Sequence, residues 1–227
     1  MRASGKSWFV RVPLFARREL SSGRSSAAKQ HSVADATLAT QSKPPLSRVR
    51  GTRDFHPSDL RLRHWLFDHW RSVALLHGFE QYDAPILEHE ELYVRKSGLE
   101  IVSQLYSFED QSGRRLALRP EMTPSLARMV AANRSSMALP LKWWSVPQCW
   151  RYERMSRGRR REHYQWNMDI WGVAGATAEA ELLSAIIQLF SRVGLTSRDV
   201  RARLSCRRFF TAALTALGLP PAALVPG

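Results

Sequence analysis

The stretch WRYERMSRGRRREHYQWNMDIWG, residues 150–172, carries the reading of this chain. Two aromatic, strand-like segments, LKWWSVPQCWRYE (141–153) and EHYQWNMDIWG (162–172), enclose the loop MSRGRRR (155–161). The arrangement predicts a β-hairpin. Its loop packs Arg157, Arg159, Arg160 and Arg161 around Gly158. Four guanidinium groups that close repel one another unless an anion lies across them, and their planar forks match phosphate in a bidentate way. Side chains alternate along a strand, so Gln165, Asn167 and Asp169 are expected on one face of the return arm. Arg151 and Glu153 share a face of the outgoing arm. An acid, an amide and an arginine facing one another suit a small zwitterion held beside a phosphate. Trp143, Trp144, Trp150, Trp166 and Trp171 read as core rather than as base-stacking platforms.

Upstream of the hairpin, HPSDLRLRHWLFDHWRSVALLHGF (56–79) places Leu60, Leu62, Trp65, Leu66, Trp70, Val73 and Leu76 at helical spacing, with Pro57 and Ser58 at its start and Gly78 at its end. FEQYDAPILE (79–88) predicts a short strand interrupted by Pro85, near an edge or an interface. SQLYSFEDQSGRRLALRPE (103–121) predicts a hairpin, with Tyr106 and Phe108 on one arm, Gly113 in the turn, and Leu116 and Leu118 on the other. Helices are expected from TPSLARMVAANR (123–134), capped by Thr123 with Pro124 first, and from TAEAELLSAIIQLFSRVG (177–194), capped by Thr177 and stopped by Gly194. A helix, several neighbouring strands and a closing helix make an α+β fold, an antiparallel or mixed sheet with flanking helices.

The net charge of +14 points to polyanionic partners. Much of it sits in residues 1–50, where seven Arg and three Lys oppose only Glu19 and Asp35, a net of +8 that leaves +6 for the body. The first 45 residues are rich in Arg and Ser and nearly free of acids, and Trp8, Phe9, Val12, Leu14 and Phe15 suit an Arg-bearing amphipathic helix. That is the composition of an organellar transit peptide, with mitochondrion and chloroplast equally open and the cytosol the location if the segment has another role. No apolar run approaches the roughly 18 residues that span a bilayer, so no membrane partner is expected. Cys149 and Cys206 are far apart and lack metal-ligand company, and the seven His are scattered. Neither a disulfide framework nor a zinc site is expected, and no metal is assigned to protein side chains. The chain has no phosphate-binding Gly-rich loop, no dinucleotide fingerprint, no nucleophile elbow and no H-E-x-x-H helix.

With these segments laid out, residues 48–210 resemble the catalytic domain of histidyl-tRNA synthetase, a class II aminoacyl-tRNA synthetase. RGTRDFHP (50–57) is similar to that family's N-terminal signature, and YDAPILEHEELYVRKSG (82–98) to class II motif 1, with Pro85 as the dimer-motif proline. ALRPEMTPSLAR (117–128) resembles its histidine-binding segment, and residues 150–172 resemble motif 2. The resemblance implies an antiparallel sheet flanked by helices, a homodimer, L-histidine, ATP with Mg²⁺, and tRNA(His). It implies that Arg151, the catalytic arginine, holds the ATP α-phosphate and the histidine carboxylate, that Glu153 meets the adenine amino group, and that Arg161 contacts ATP. His163 stands where many relatives stack a phenylalanine on adenine. Glu121, Met122 and Thr123 would line the histidine ammonium, Gln165 and Asp169 would read the substrate and its imidazole, and Arg157, Arg159 and Arg160 would face the tRNA.

The resemblance also implies domains: 1–45 as a transit peptide, and 46–227 as the N-terminal part of the catalytic domain, carrying motifs 1 and 2. Motif 3 and the anticodon-binding domain of the family would follow Gly227, so this chain alone is expected not to complete aminoacylation. Two other readings share the same residues. One is the histidine-binding regulatory subunit of ATP phosphoribosyltransferase. The other is a non-catalytic fragment that binds RNA or a partner. The arginine-rich loop, the sequence PEMT (120–123) and the N-terminal composition favour the synthetase.

Overall fold

The computed structural model describes residues 46–205 and 207–218. The expected transit peptide, residues 1–45, and Cys206 lie outside the described residues. The long amphipathic segment forms helix α1 (Pro57–Leu76), with proline in its first turn, where a missing N–H costs nothing. Gly78 then turns the chain at φ +70°, a conformation that a side chain resists, and Phe79 drops into the core.

Strands β1 (Glu80–Gln81), β5 (Leu141–Ser145) and β8 (Asn167–Trp171) form the central sheet in the order β1-β5-β8. The β1–β5 pair is parallel and the β5–β8 pair antiparallel, so the sheet is mixed. Helix α4 (Thr177–Arg192) packs beside α1 against it. Trp70, Val73, Ala74, Phe79, Trp144, Met168, Ile170, Leu182, Ala185 and Leu189 make one buried cluster across these elements. Each large side chain so buried contributes about 1.5–3 kcal/mol. Trp166 stacks on Trp70 with centroids 6.1 Å apart. Lys142 ties the sheet to both helices, donating to the His77 carbonyl and to Glu181.

A second antiparallel sheet, in the order β2-β4-β3, joins β2 (Leu87–His89), β3 (Tyr106–Glu109) and β4 (Arg115–Leu118). The register pairs Tyr106 with Leu118 and Phe108 with Leu116, as the alternation predicts. Helices α2 (Glu90–Ser97) and α3 (Thr123–Ala132) lie beside it, and Tyr93, Leu105 and Ala117 form its small core. The third ladder pairs β6 (Gln148–Trp150) with β7 (Glu162–Tyr164). Helix α5 (Arg207–Ala216) follows.

Four expectations need correction. FEQYDAPILE is two strands in different sheets, β1 and β2, because the chain leaves the first ladder before Pro85 and joins the second after it. Each arm of the basic hairpin is likewise two strands. Pro147 has no N–H to give the ladder, and the break falls at the same level on both arms, where the Gln165 N–H donates to the Pro147 carbonyl (3.2 Å). Thr123 and Thr177 are the first helical residues rather than caps, and neither helix has a side-chain capping bond. The tryptophans differ among themselves: Trp144 is fully buried, whereas Trp143, Trp150, Trp166 and Trp171 are half-buried.

Candidate active site

The site grows from the outgoing arm of the basic hairpin. The Arg151 N–H donates to the Arg161 carbonyl (2.8 Å), which extends the β6–β7 pairing by one step. The Arg151 side chain turns the other way, and its Nε–H donates to the Pro120 carbonyl (3.0 Å). Its guanidinium is therefore held at the doorstep of Glu121, Met122 and Thr123. Met122 is fully buried, Thr123 nearly so, and the half-buried Glu121 carboxylate accepts from the Lys96 ammonium at 2.7 Å.

The return arm carries the other two candidates, Gln165 and Asp169. The Gln165 side chain lies 3.2 Å from the His163 ring nitrogen, and its carbonyl accepts from the Cys149 thiol at 3.7 Å. Burial pushes the Cys149 thiol up to about 12; the Arg119 guanidinium opposes this, and the Glu121 and Asp83 carboxylates add to it. Asp169 is 4% exposed and sits in β8 opposite Trp143. Burial first, and the Asp169 carboxylate second, hold the Tyr82 phenol above its ordinary value; Asp83 and Arg119 act on the same hydroxyl. The Cys149 thiol thus contacts Gln165 and feels the Glu121 carboxylate, while the Tyr82 phenol feels Asp169.

Arg119 is the residue that sequence reasoning missed. It is 3% exposed. Its Nε–H donates to the Gln148 carbonyl (3.0 Å), and its Nη1 donates to the Asp83 carboxylate (2.9 Å) and the Ala84 carbonyl (2.7 Å). The same Nη1 lies 3.6 Å from the Met122 sulfur. One guanidinium thereby fastens the segment before Pro85 to the 119–123 turn and to β6. Its place just ahead of Pro120 and Glu121 was the available signal.

The loop itself divides. Arg157 and Arg160 are exposed and make no ion pair among the described residues. Arg159 folds back and pairs with the half-buried Glu153 carboxylate. Arg161 lays its guanidinium over the Tyr152 ring, 4.1 Å from the centroid. Pro85 is exposed. Among the described residues no group of three or more His, Cys, Asp or Glu could hold a metal ion, and no helix is long and apolar enough to cross a membrane.

Residues 51–224 match the family model for histidyl-tRNA synthetase. The chain belongs to the histidyl-tRNA synthetase family. It is 57% identical over 171 residues to the histidine–tRNA ligase, chloroplastic/mitochondrial, of Arabidopsis thaliana, covering 75% of this chain and 35% of that protein. The histidine–tRNA ligase of Opitutus terrae is 46% identical, with 74% of this chain and 39% of that protein covered. A solved Bacillus halodurans structure, described as an ATP phosphoribosyltransferase regulatory subunit/histidyl-tRNA synthetase, superposes with a TM-score of 0.61 at 28% identity, over 69% of this chain and 40% of its own. The class II-like α+β architecture expected from sequence is therefore the fold of this chain. The chain spans between a third and two fifths of the length of these relatives.

Proposed function

We propose that residues 46–227 form the ATP- and histidine-binding part of a histidine–tRNA ligase. The reaction joins L-histidine to ATP as histidyl-adenylate and passes the histidyl group to tRNA(His). In the first step the histidine carboxylate oxygen attacks the α-phosphorus in line, and pyrophosphate leaves with the electron pair of the broken P–O bond. Two anions must be brought together, so the catalyst is chiefly a cationic clamp of fixed geometry. The observation that carries this reading is the Arg151 side chain, anchored on the Pro120 carbonyl beside Glu121. From there one guanidinium can span the α-phosphate and the amino-acid carboxylate.

Glu121 and Thr123 then receive the histidine ammonium, with Met122 packed beneath them. Lys96 holds the Glu121 carboxylate until substrate arrives. Gln165 and Asp169 read the imidazole N–H groups, and an amino acid lacking them forfeits those hydrogen bonds. Glu153 receives the adenine amino group once Arg159 lets go of it, His163 stacks on the base, and Arg161 takes a phosphate. Arg157 and Arg160, exposed and without ion pairs among the described residues, face the tRNA. Mg²⁺ would accompany the triphosphate, and the described side chains offer it no His, Cys, Asp or Glu cluster of their own.

A homodimer through motif 1 is supported by the outer face of the second sheet. The register puts Leu87, Leu118, Tyr106, Leu116 and Phe108 on that face, and Leu87 and Phe108 are more than 40% exposed. Import into chloroplasts or mitochondria is supported by the Arg- and Ser-rich first 45 residues and by the location in the Arabidopsis relative's name. The test is exchange of labelled pyrophosphate into ATP with each amino acid in turn. Exchange dependent on L-histidine alone is expected. Histidine binding without exchange would favour a regulatory histidine sensor, and neither would leave an RNA- or partner-binding fragment.

A further inference from the structure

The return arm of the basic hairpin is fastened to a segment a hundred residues earlier, and the reading above gives that segment no task. The Gly51 carbonyl accepts the Arg161 N–H at 3.2 Å and the Glu162 N–H at 3.5 Å. Gly51 has φ +94°, and a Cβ there would lie 2.8–2.9 Å from Cβ, Cγ and Cδ of Arg161. Only a glycine lets the Arg161 stem lie flat on this backbone. Two residues on, Arg53 donates twice to one oxygen of Glu162, from its backbone N–H (2.9 Å) and from Nε (3.2 Å). The other Glu162 oxygen accepts from Gln148 Nε2 at 3.2 Å, and the Glu162 side chain is 4% exposed. A buried ion pair recovers little of its desolvation cost, so its main return is fixed geometry. What lies between these two attachments is the Arg161 side chain. Its Nε–H is buried with no hydrogen-bond partner among the described residues, and its guanidinium rests on Tyr152.

We propose that Gly51, Arg53 and Glu162 form a positioning clamp that presets the Arg161 guanidinium for a nucleotide phosphate. None of the three touches the nucleotide; they act through Arg161. The inference rests on the ATP-site reading given above. A merely structural clamp would weaken every ligand alike, whereas this one acts on ATP and leaves the histidine wall around Glu121 and Asp169 undisturbed.

The test is a double-mutant cycle of Gly51→Ala and Arg161→Ala in the 227-residue chain, with ATP and L-histidine titrated separately by calorimetry. Contacting residues are non-additive, so each single substitution is expected to weaken ATP roughly tenfold and the pair roughly tenfold as well. Histidine affinity is expected to stay within about twofold, since both substitutions leave the Arg151 side chain and the 120–123 turn in place. A roughly hundredfold, additive loss in the double variant, or an equal loss of histidine binding, overturns the clamp. Glu162→Gln keeps the volume and an acceptor for Gln148 while removing the charge facing Arg53. It is expected to lower ATP affinity several-fold with histidine unchanged. If it leaves ATP affinity intact while Gly51→Ala fails to fold, the clamp is also overturned. A wild-type chain that binds no ATP ends the functional reading and the clamp together. A chain that binds ATP, loses it in Arg161→Ala, and yet shows additivity ends the clamp alone.

Discussion

Arg119 and the loop arginines 157–160 are the same residue type put to opposite uses. Arg119 is buried, and two carbonyl groups and a carboxylate from two other segments accept from its guanidinium. Arg157 and Arg160 are exposed, on a loop whose one described ion pair joins Arg159 to Glu153. A guanidinium whose donors are all directed inward is a joint between segments. One that faces water keeps its donors for a ligand. Arginine content therefore says little until burial is known.

The sharpest way to break this contrast is Arg119→Met. The Asp83 carboxylate left behind is exposed, but the Gln148 and Ala84 carbonyls lose their donor, at about 1–3 kcal/mol each where they are buried, which urea unfolding would register as a large share of a small domain's stability. A loss below about 1 kcal/mol, the usual figure for an exposed ion pair, would mean that Arg119 is no joint. Arg151 stands between the two cases, since one donor is anchored on the Pro120 carbonyl and the proposed function gives the others to ligand. Arg151→Ala is expected to cut histidine-dependent pyrophosphate exchange about a hundredfold or more, as for a lost donor to developing charge, with melting temperature nearly unchanged. Next in size is Arg157, Arg159 and Arg160 changed together to Ser. Each phosphate contact contributes about 0.7–0.9 to the slope of log affinity against log salt, so the slope for tRNA is expected to fall by about two. Stability should move by about 0.5 kcal/mol or less.

The smallest effect concerns Cys149. Burial pushes its thiol up to about 12 in the folded chain. A raised thiol pKa contributes stability that is complete below the unfolded value of about 8.5 and is lost as pH rises toward the folded value. In a Cys206→Ser background, native chain at pH 8.5 is expected to resist alkylation at Cys149, and stability to decline as pH is raised further. Rapid alkylation of the folded chain would place this thiol nearer water than its burial implies.

What the sequence disclosed follows period and charge. Helices α1 and α4 and the β3–β4 hairpin could be read because apolar spacing of 3.6 or 2 survives in a single chain. The basic hairpin could be read from aromatic arms around a glycine-centred arginine loop. Its breaks could not, because Pro147 marks only one arm, and nothing in Gln165–Trp166 shows that the other arm bends at the same level. The expected common face of Gln165, Asn167 and Asp169 therefore runs across an interrupted ladder. Of the candidate site residues, Arg151 could be singled out as a charge on a strand arm, whereas Glu121 entered only through the resemblance of residues 117–128 to a family segment. Arg119 and the Gly51–Arg53–Glu162 contacts were not legible, since they depend on partners distant in the chain, 109 residues apart for Arg53 and Glu162.

The most direct test of the account is calorimetric titration of the 227-residue chain with L-histidine, L-phenylalanine and histidinol in the presence of ATP. Histidine is expected to bind. Phenylalanine, which lacks the ring N–H groups, should bind at least about a hundredfold more weakly because it cannot make their hydrogen bonds to the site. Histidinol, which lacks the carboxylate, should lose the contribution of Arg151. Equal binding of all three, or of none, would contradict a histidine site built between the 119–123 turn and the arms of the basic hairpin.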